Sequence, residues 1–318
     1  MKAAIVSRPG QPAPVYGDAP EPVASAGEAR IRVTAAALTQ VARSRAAGTH
    51  YSASARFPFV AGVDGVGLLD DGRRVYFALP QPPNGAMAEW TATREALCAA
   101  LPDDLDDVTA AAIANPGMSS WAALTERARL KPGETVLVNG ATGIAGRLAV
   151  QIAKHLGAGR VVATGRDREA LGELAALGAD GTIALEADAE AMEARFREEF
   201  ARGVGVVIDY LWGESARRLL IAGAKAGAEA VPIRFVQVGS ASGEEIALPG
   251  AALRASAIEL MGSGIGSIPP GRLVASVAAL LEAAVPAGLK IAARAVPLAQ
   301  VEEAWAQEDR RTRIVFVP

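Results

Sequence analysis

One stretch, residues 135–166, restricts the fold of this chain more than any other. It runs Thr135-Val-Leu-Val-Asn-Gly-Ala-Thr-Gly-Ile-Ala-Gly146, passes through a helix-like segment, and closes on Arg160-Val-Val-Ala-Thr-Gly-Arg166. An apolar strand enters a glycine turn, a helix follows, and a second apolar strand ends on Gly-Arg. That order and length are the layout of a dinucleotide-binding βαβ unit.

The same alternation continues downstream. Strands are expected at 135–139, 160–164, 181–185, 204–209, 234–238 and 257–261, with helices near 143–156, 167–177, 188–202, 213–226 and 250–255. Alternation of this kind means a parallel sheet covered on both faces. Val204-Gly-Val-Val-Ile-Asp209 is the near-continuous apolar run that such a strand needs. Upstream, short β runs lie between Pro and Gly punctuation: Lys2–Val6, Ala29–Ala35, Val60–Leu69, Arg74–Ala78 and Ala86–Thr93. Asp107–Ile113 and Gly117–Ala128 read as two helices. After Gly271 the pattern gives a helix at Arg272–Val285, a strand at Lys290–Ala295, a short helix at Val301–Gln307 and a last strand at Ile314–Val317, which returns to the N-terminal domain. A length of 318 residues suits two domains.

Composition removes several function classes. A net charge of −3 argues against a general nucleic-acid binder. One cysteine, Cys98, rules out a disulfide within the chain and a multi-cysteine zinc site. The N-terminus lacks the long apolar core of a leader and reads as a first strand. No apolar run reaches the roughly 20 residues of a membrane span. The expectation is a cytoplasmic protein with a small-molecule substrate, and neither a nucleic acid nor a membrane as partner.

The dinucleotide fingerprint G-x-G-x-x-G appears here as Ala141-Thr142-Gly143-Ile144-Ala145-Gly146, with Ala in the first place. Gly143 lets the backbone approach a pyrophosphate, Gly146 lets the helix pack close to the sheet, and the helix N-terminus offers free N–H groups to phosphate. An acidic residue for a ribose 2′-hydroxyl belongs about 20 residues further on. That place holds Gly165 and Arg166. An Arg there suits the 2′-phosphate of NADP(H), because its fork of donors pairs with phosphate and never loses its charge. Arg168 is placed to assist. The plainer alternative leaves both arginines solvated at a helix start, with Asp167 able to take a hydroxyl.

The whole chain resembles the zinc-independent medium-chain dehydrogenase/reductase superfamily, near its quinone oxidoreductases. The carrying segments are Phe57-Pro-Phe-Val-Ala-Gly-Val-Asp-Gly-Val-Gly67, Gly85-Ala-Met-Ala-Glu-Trp90, Leu130–Gly146, Ala149-Val-Gln-Ile-Ala-Lys-His-Leu-Gly-Ala158 and Leu174–Asp180. The resemblance implies an α/β fold. A GroES-like β-rich catalytic domain in two segments, 1–115 and 263–318, would hold an inserted Rossmann cofactor domain, 116–262. It also implies a homodimer built through the sixth strand. Where zinc-dependent relatives carry Gly-His-Glu, this chain has Gly62-Val63-Asp64, and valine cannot ligate a metal. The expectation is therefore no metal, and hydride transfer from NADP(H) to a quinone or an α,β-unsaturated carbonyl. The alternatives are an enoyl-thioester reductase of a biosynthetic pathway, and a cofactor-binding sensor or structural protein without turnover.

By the same resemblance Ser119 matches a threonine at the nicotinamide end. Val238-Gly239-Ser240 matches a cofactor-contacting loop, and Arg313 stands where relatives often place a lysine near the cofactor. The usual Leu-Asn-Pro-Val-Asp is replaced by Leu38-Thr39-Gln40-Val41-Ala42, so Thr39 takes the place of an asparagine that borders the substrate pocket. His50 falls where many relatives have a tyrosine, and Tyr51 follows it. Imidazole titrates near neutral pH, which makes His50 a candidate proton donor; a surface-loop histidine without a role is the other reading. Tyr51 is a candidate to hydrogen-bond a carbonyl, or else a packing aromatic. His155 and Cys98 read as structural, and Trp212 as core.

Overall fold

The computed structural model describes residues 1–318 apart from Pro12, Tyr51, Ser54, Ala55, Glu186, Ala187, Glu308 and Arg310. The first segment supplies β1 (Lys2–Val6), β2 (Val15–Asp18), β3 (Glu28–Ala37), α1 (Gln40–Ala47), β4 (Phe59–Val60), β5 (Asp64–Leu69), β6 (Arg74–Ala78), β7 (Trp90–Arg94) and β8 (Cys98–Ala100). Then follow α2 (Asp107–Ala122), β9 (Thr135–Asn139), α3 (Ile144–His155), β10 (Arg160–Gly165), α4 (Arg168–Glu173), β11 (Gly181–Ala184), α5 (Ala189–Ala201), β12 (Val204–Asp209), α6 (Gly213–Ala226), β13 (Ile233–Gln237), α7 (Gly250–Arg254) and β14 (Ile258–Gly262). The chain closes with α8 (Pro270–Ala284), β15 (Ala292–Pro297), α9 (Val301–Trp305) and β16 (Thr312–Val317). Two units result: Met1–Met118 with Pro269–Pro318, and Ser119–Ile268.

The first unit is β-rich. Its longer sheet has the order β15-β16-β3-β5-β6-β8, with β7 paired to β3, and a second sheet runs β2-β1-β4. In β3 Ile31, Val33 and Ala35 point inward while Arg32 points to solvent, the period of two that a half-buried strand requires. The C-terminal strand β16 pairs antiparallel with β3, Val315 opposite Ala37, so the last segment completes the sheet begun by the first. Ile31, Phe77, Met87, Trp305 and Phe316 form the core beneath it.

Two boundaries depart from expectation for backbone reasons. The run 60–69 breaks at Gly62, whose φ of +96° turns the chain, so Phe59–Val60 pairs with β1 and Asp64–Leu69 pairs with β3 and β6. The two helices expected at 107–113 and 117–128 are one helix, α2, that runs through Pro116. Proline removes a single N–H from the ladder there without ending it. A π turn follows at Ala123–Arg127, where the Ala128 N–H reaches back five residues to the Ala123 carbonyl at 2.8 Å.

The second unit is a parallel sheet of order β11-β10-β9-β12-β13-β14. Val136–Val138, Val161–Ala163 and Val206–Ile208 are fully buried, as strands covered on both faces must be. From β9 the chain moves to β10 and β11 on one side, then crosses to β12 on the other. In open α/β sheets the carboxyl ends of strands at such a reversal form the ligand crevice.

Candidate cofactor site

The turn after β9 is set by steric room. Gly140 has φ +89°, and a Cβ on it would stand 2.8 Å from the Leu211 side chain. The left-handed residue of the turn is thus Gly140, one place before the alanine given the first position of the fingerprint; Ala141 is buried in ordinary geometry. The helix α3 then begins at its cap residue Gly143, which no side chain caps. A Cβ on Gly143 would meet nothing within 4 Å, whereas one on Gly146 would lie 2.3 Å from the Gly140 carbonyl oxygen and 2.5 Å from the Ala141 Cα. Gly143 therefore faces open space, and Gly146 lets the helix close onto the turn. Thr142 sits beside Gly165, where a Cβ would approach the Thr142 methyl to 2.4 Å. Ile144 and Ala145, half-buried, complete the first turn of the helix. Uncapped N–H groups, a positive dipole end and open space at Gly143 fit a pyrophosphate.

A buried polar network holds this turn from below. The Asn139 Nδ2 donates to Asp209 Oδ1 at 2.7 Å and to Ser215 Oγ at 3.0 Å. The Thr164 hydroxyl donates to Asn139 Oδ1 at 2.6 Å and accepts from the Gly140 N–H at 3.2 Å. The Ala141 N–H donates to the Thr164 carbonyl at 2.7 Å. Asp209 Oδ1 also accepts from the Leu211 N–H at 3.0 Å, and Oδ2 from the Trp212 N–H at 3.1 Å. Burial pushes the Asp209 carboxyl up to about 6, against the pull of these donors.

At the end of β10, Arg166 and Arg168 are exposed. Asp167 caps α4, its carboxylate accepting from the Ala170 N–H at 3.0 Å. The loop Val238-Gly239-Ser240 folds onto the end of β12. The Val238 and Gly239 N–H groups both reach the Asp209 carbonyl, at 2.7 and 3.1 Å, and a Gly239 Cβ would stand 2.9 Å from the Tyr210 carbonyl. Ser119, Ser120 and Tyr210 also meet: the Tyr210 hydroxyl is 2.7 Å from Ser120 Oγ and bonds Ser119 as well, while burial raises its pKa. Trp212, at φ +55°, packs edge-on to Phe235 with ring centres 6.5 Å apart.

The remaining candidates lie in the first unit. Thr39 is buried, and its hydroxyl caps α1 by accepting from the Ala42 N–H at 3.0 Å. Arg313, in β16, donates from Nη1 to the Leu38 carbonyl at 2.8 Å, so it holds the residue before that cap. Burial lowers the Arg313 pKa, and the nearby Asp64 charge opposes the shift. His50 follows the Gly48 cap of α1. Its Nδ1 accepts from the Ser52 N–H at 3.1 Å and lies 2.8 Å from Ser52 Oγ, so the neutral ring carries its proton on Nε2. Burial and the Arg45 charge lower the His50 pKa below the usual 6.5. Tyr51 lies outside the described residues. Val63 is buried, and among the described residues no group of three or more His, Cys, Asp or Glu is placed to hold a metal ion. No helix of the described residues is long and apolar enough to cross a membrane.

Gly140 and the Asn139–Thr164–Asp209 network escape a reading of the sequence alone. Gly140 carried a signal in being the first residue after the strand. The network carried none, since its partners are 25 and 70 residues apart.

Residues 145–283 match the family described as zinc-binding dehydrogenase; that stretch lies outside Gly62–Asp64. Aligned over 364 positions, 100% of this chain and 100% of its relative, the sequence is 31% identical to a probable NADPH-dependent quinone reductase of Emericella nidulans. The quinone oxidoreductase from Thermus thermophilus, solved also in complex with NADPH, superposes with a TM-score of 0.81 at 28% identity, covering 100% of both chains. A mycobacterial quinone oxidoreductase gives 0.85 at 25% identity, again over 100% of both chains.

Proposed function

The chain belongs to the quinone oxidoreductase-like family of medium-chain dehydrogenases/reductases, and on that footing we propose that it is an NADPH-dependent, zinc-free oxidoreductase that reduces a quinone or an α,β-unsaturated carbonyl. The single observation that carries this is the turn Gly140–Gly146. It pairs an uncapped helix end with open space at Gly143, and full-length relatives named for NADPH and quinone share the fold.

NADPH bound at this turn supplies the hydride. The amides at the start of α3 hold its pyrophosphate, and Gly143 leaves them room to do so. Arg166 takes the 2′-phosphate. Asp167 uses one carboxylate oxygen to cap α4, and the exposed Arg166 guanidinium beside it favours the phosphate as the group recognised at this strand end. Ser119 and the loop Val238–Ser240 flank the same end of the sheet and serve the nicotinamide half. In the first unit Thr39 and Arg313 fix the Leu38 turn that leads into α1. His50 supplies the proton from Nε2, with Tyr51 as the other candidate donor. Exclusion of zinc is supported by Val63, whose side chain has no donor atom, and by the lone Cys98. The dimer expected from the resemblance would form at β14, which ends the sheet and exposes 41% of Leu260.

The test is NADPH oxidation by the purified chain against quinones, enones and aldehydes, with and without a chelator, alongside metal analysis. Turnover on a quinone or enone, unaffected by the chelator, is expected. Stoichiometric zinc, or turnover on none of these acceptors, overturns the proposal.

A further inference from the structure

Asp209 is tied to the fingerprint turn by directed hydrogen bonds through two other side chains. Each link has a fixed donor. The Asp209 carboxylate is acceptor only, so Asn139 must present its NH2 to it, at 2.7 Å. That fixes the Asn139 carbonyl oxygen towards Thr164, which must then donate its hydroxyl hydrogen, at 2.6 Å. The Thr164 oxygen is left as acceptor for the Gly140 N–H, at 3.2 Å. Asn139, Thr164 and Asp209 are all fully buried, so no solvent molecule substitutes readily for a missing member. The chain of bonds joins the carboxyl ends of β12, β9 and β10, the strands at the sheet's reversal, and it ends on the left-handed residue whose carbonyl Gly146 approaches.

We propose that Asp209 is a positioning residue for dinucleotide binding: through Asn139 and Thr164 it sets the orientation of the Gly140 amide, and with it the angle at which the turn delivers the N–H groups of α3. The same carboxylate receives the Leu211 and Trp212 N–H groups, and its backbone carbonyl receives those of Val238 and Gly239. One residue therefore aligns the fingerprint turn with the loop on the other side of the crevice. Ser215 gives Asn139 a second acceptor and acts as a lesser support.

This inference rests on the proposed cofactor, and its test separates the two. The dissociation constant of NADPH is measured by fluorescence titration for the full chain and for Thr164→Val, Thr164→Ser, Asp209→Asn, Ser215→Ala and the Thr164→Val/Asp209→Asn pair, with thermal melting in parallel. Thr164→Val, close in shape, breaks the relay and is expected to weaken NADPH about tenfold, and Thr164→Ser to restore affinity to within about threefold of the parent. Asp209→Asn places an NH2 among donors and is expected to weaken binding by about the same factor. The double variant is expected to be no weaker than either single one, because both break one chain. Ser215→Ala, which removes only the lesser support, is expected to bind within about threefold of the parent, and the Thr164→Val and Thr164→Ser pair keeps the test open should Asp209→Asn not fold. A Thr164→Val or Asp209→Asn variant that melts earlier but binds NADPH like the parent, or a double variant whose losses multiply, overturns the positioning role. A parent chain that binds no NADPH overturns the cofactor assignment, and this role with it.

Discussion

Gly146 stands so close to Gly140 that a Cβ on the first would lie 2.3 Å from the carbonyl oxygen of the second. The first turn of α3 and the turn that leads into it are one packed object, and the two glycines inside the fingerprint serve opposite ends of it. Gly146 makes room for protein; Gly143, with nothing within 4 Å of its absent side chain, makes room for something else. Substitution by alanine separates these roles. Gly143→Ala has a permitted φ of −81° and is expected to leave the melting temperature equal or slightly raised while weakening NADPH tenfold or more, on the order of 1.4 kcal/mol. Gly146→Ala is expected to lower stability by about 1–3 kcal/mol through overpacking, with binding lost alongside it. Parent-like affinity in Gly143→Ala would remove the pyrophosphate from this turn.

Cofactor choice depends on a different strand end. Arg166 is the exposed cation directly after β10, beside the helix cap Asp167. A charge-assisted bond to phosphate contributes about 1.5–3 kcal/mol, or roughly 10–100-fold in affinity. Arg166→Ala is expected to weaken NADPH within that range and to leave NADH little changed. Side-by-side titrations of the two nucleotides check this, and equal losses for both would mean that Arg166 does not read the 2′-phosphate.

Much of this could be read from residue order, and the limit has a physical cause. Burial on both faces writes itself into Val136–Val138 and Val206–Ile208 as unbroken apolar runs, so the parallel sheet was legible residue by residue. The glycine turn was legible too, though offset by one place, because a small Ala141 imitates a glycine in a pattern while only Gly140 adopts the left-handed backbone. Pro116 misled by its local preference; the helix around it persists because its neighbours still pair. The polar relay from Asp209 to Gly140 was not legible at all. Hydrogen bonds between ends of three different strands leave no spacing in the chain, and Thr164, Asn139 and Asp209 each look like ordinary strand-end residues.

His50 offers a test of the proton's source. Acid donation from Nε2 needs the imidazolium, which must give up the bond that Nδ1 accepts from the Ser52 N–H and whose pKa is depressed by burial and by Arg45 below the usual 6.5. The donor form is therefore present at low pH and lost as pH rises through that depressed value. Turnover with a quinone is expected to fall as pH rises through that value, with the limb lying below the one an ordinary imidazole would give. His50→Ala is expected to flatten the limb and lower kcat by about 10²–10⁴, the usual range for a general acid, without weakening NADPH. An unchanged kcat in His50→Ala would transfer the role to another donor, with Tyr51 next in line.

Asp64 gives the first unit a pH dependence of its own. It occupies the start of β5, buried, with Oδ2 accepting from the Tyr76 hydroxyl at 3.2 Å and Oδ1 without a hydrogen-bond partner. Burial raises its carboxyl from 3.8 to about 7, although the Tyr76 bond and the Arg313 charge both pull it down. A carboxyl raised in the folded state binds its proton more tightly there than in the unfolded chain. Its contribution to stability is thus fully present below about pH 4 and lost as pH rises through 7. Asp64→Asn keeps an acceptor for Tyr76 and removes the charge. Its stability relative to the parent is expected to improve between pH 5 and 8 by on the order of 2 kcal/mol. Thermal melts of both proteins at the two pH values check this. A constant gap would show that Asp64 stays ionised across the range, with the Arg313 charge dominating the site.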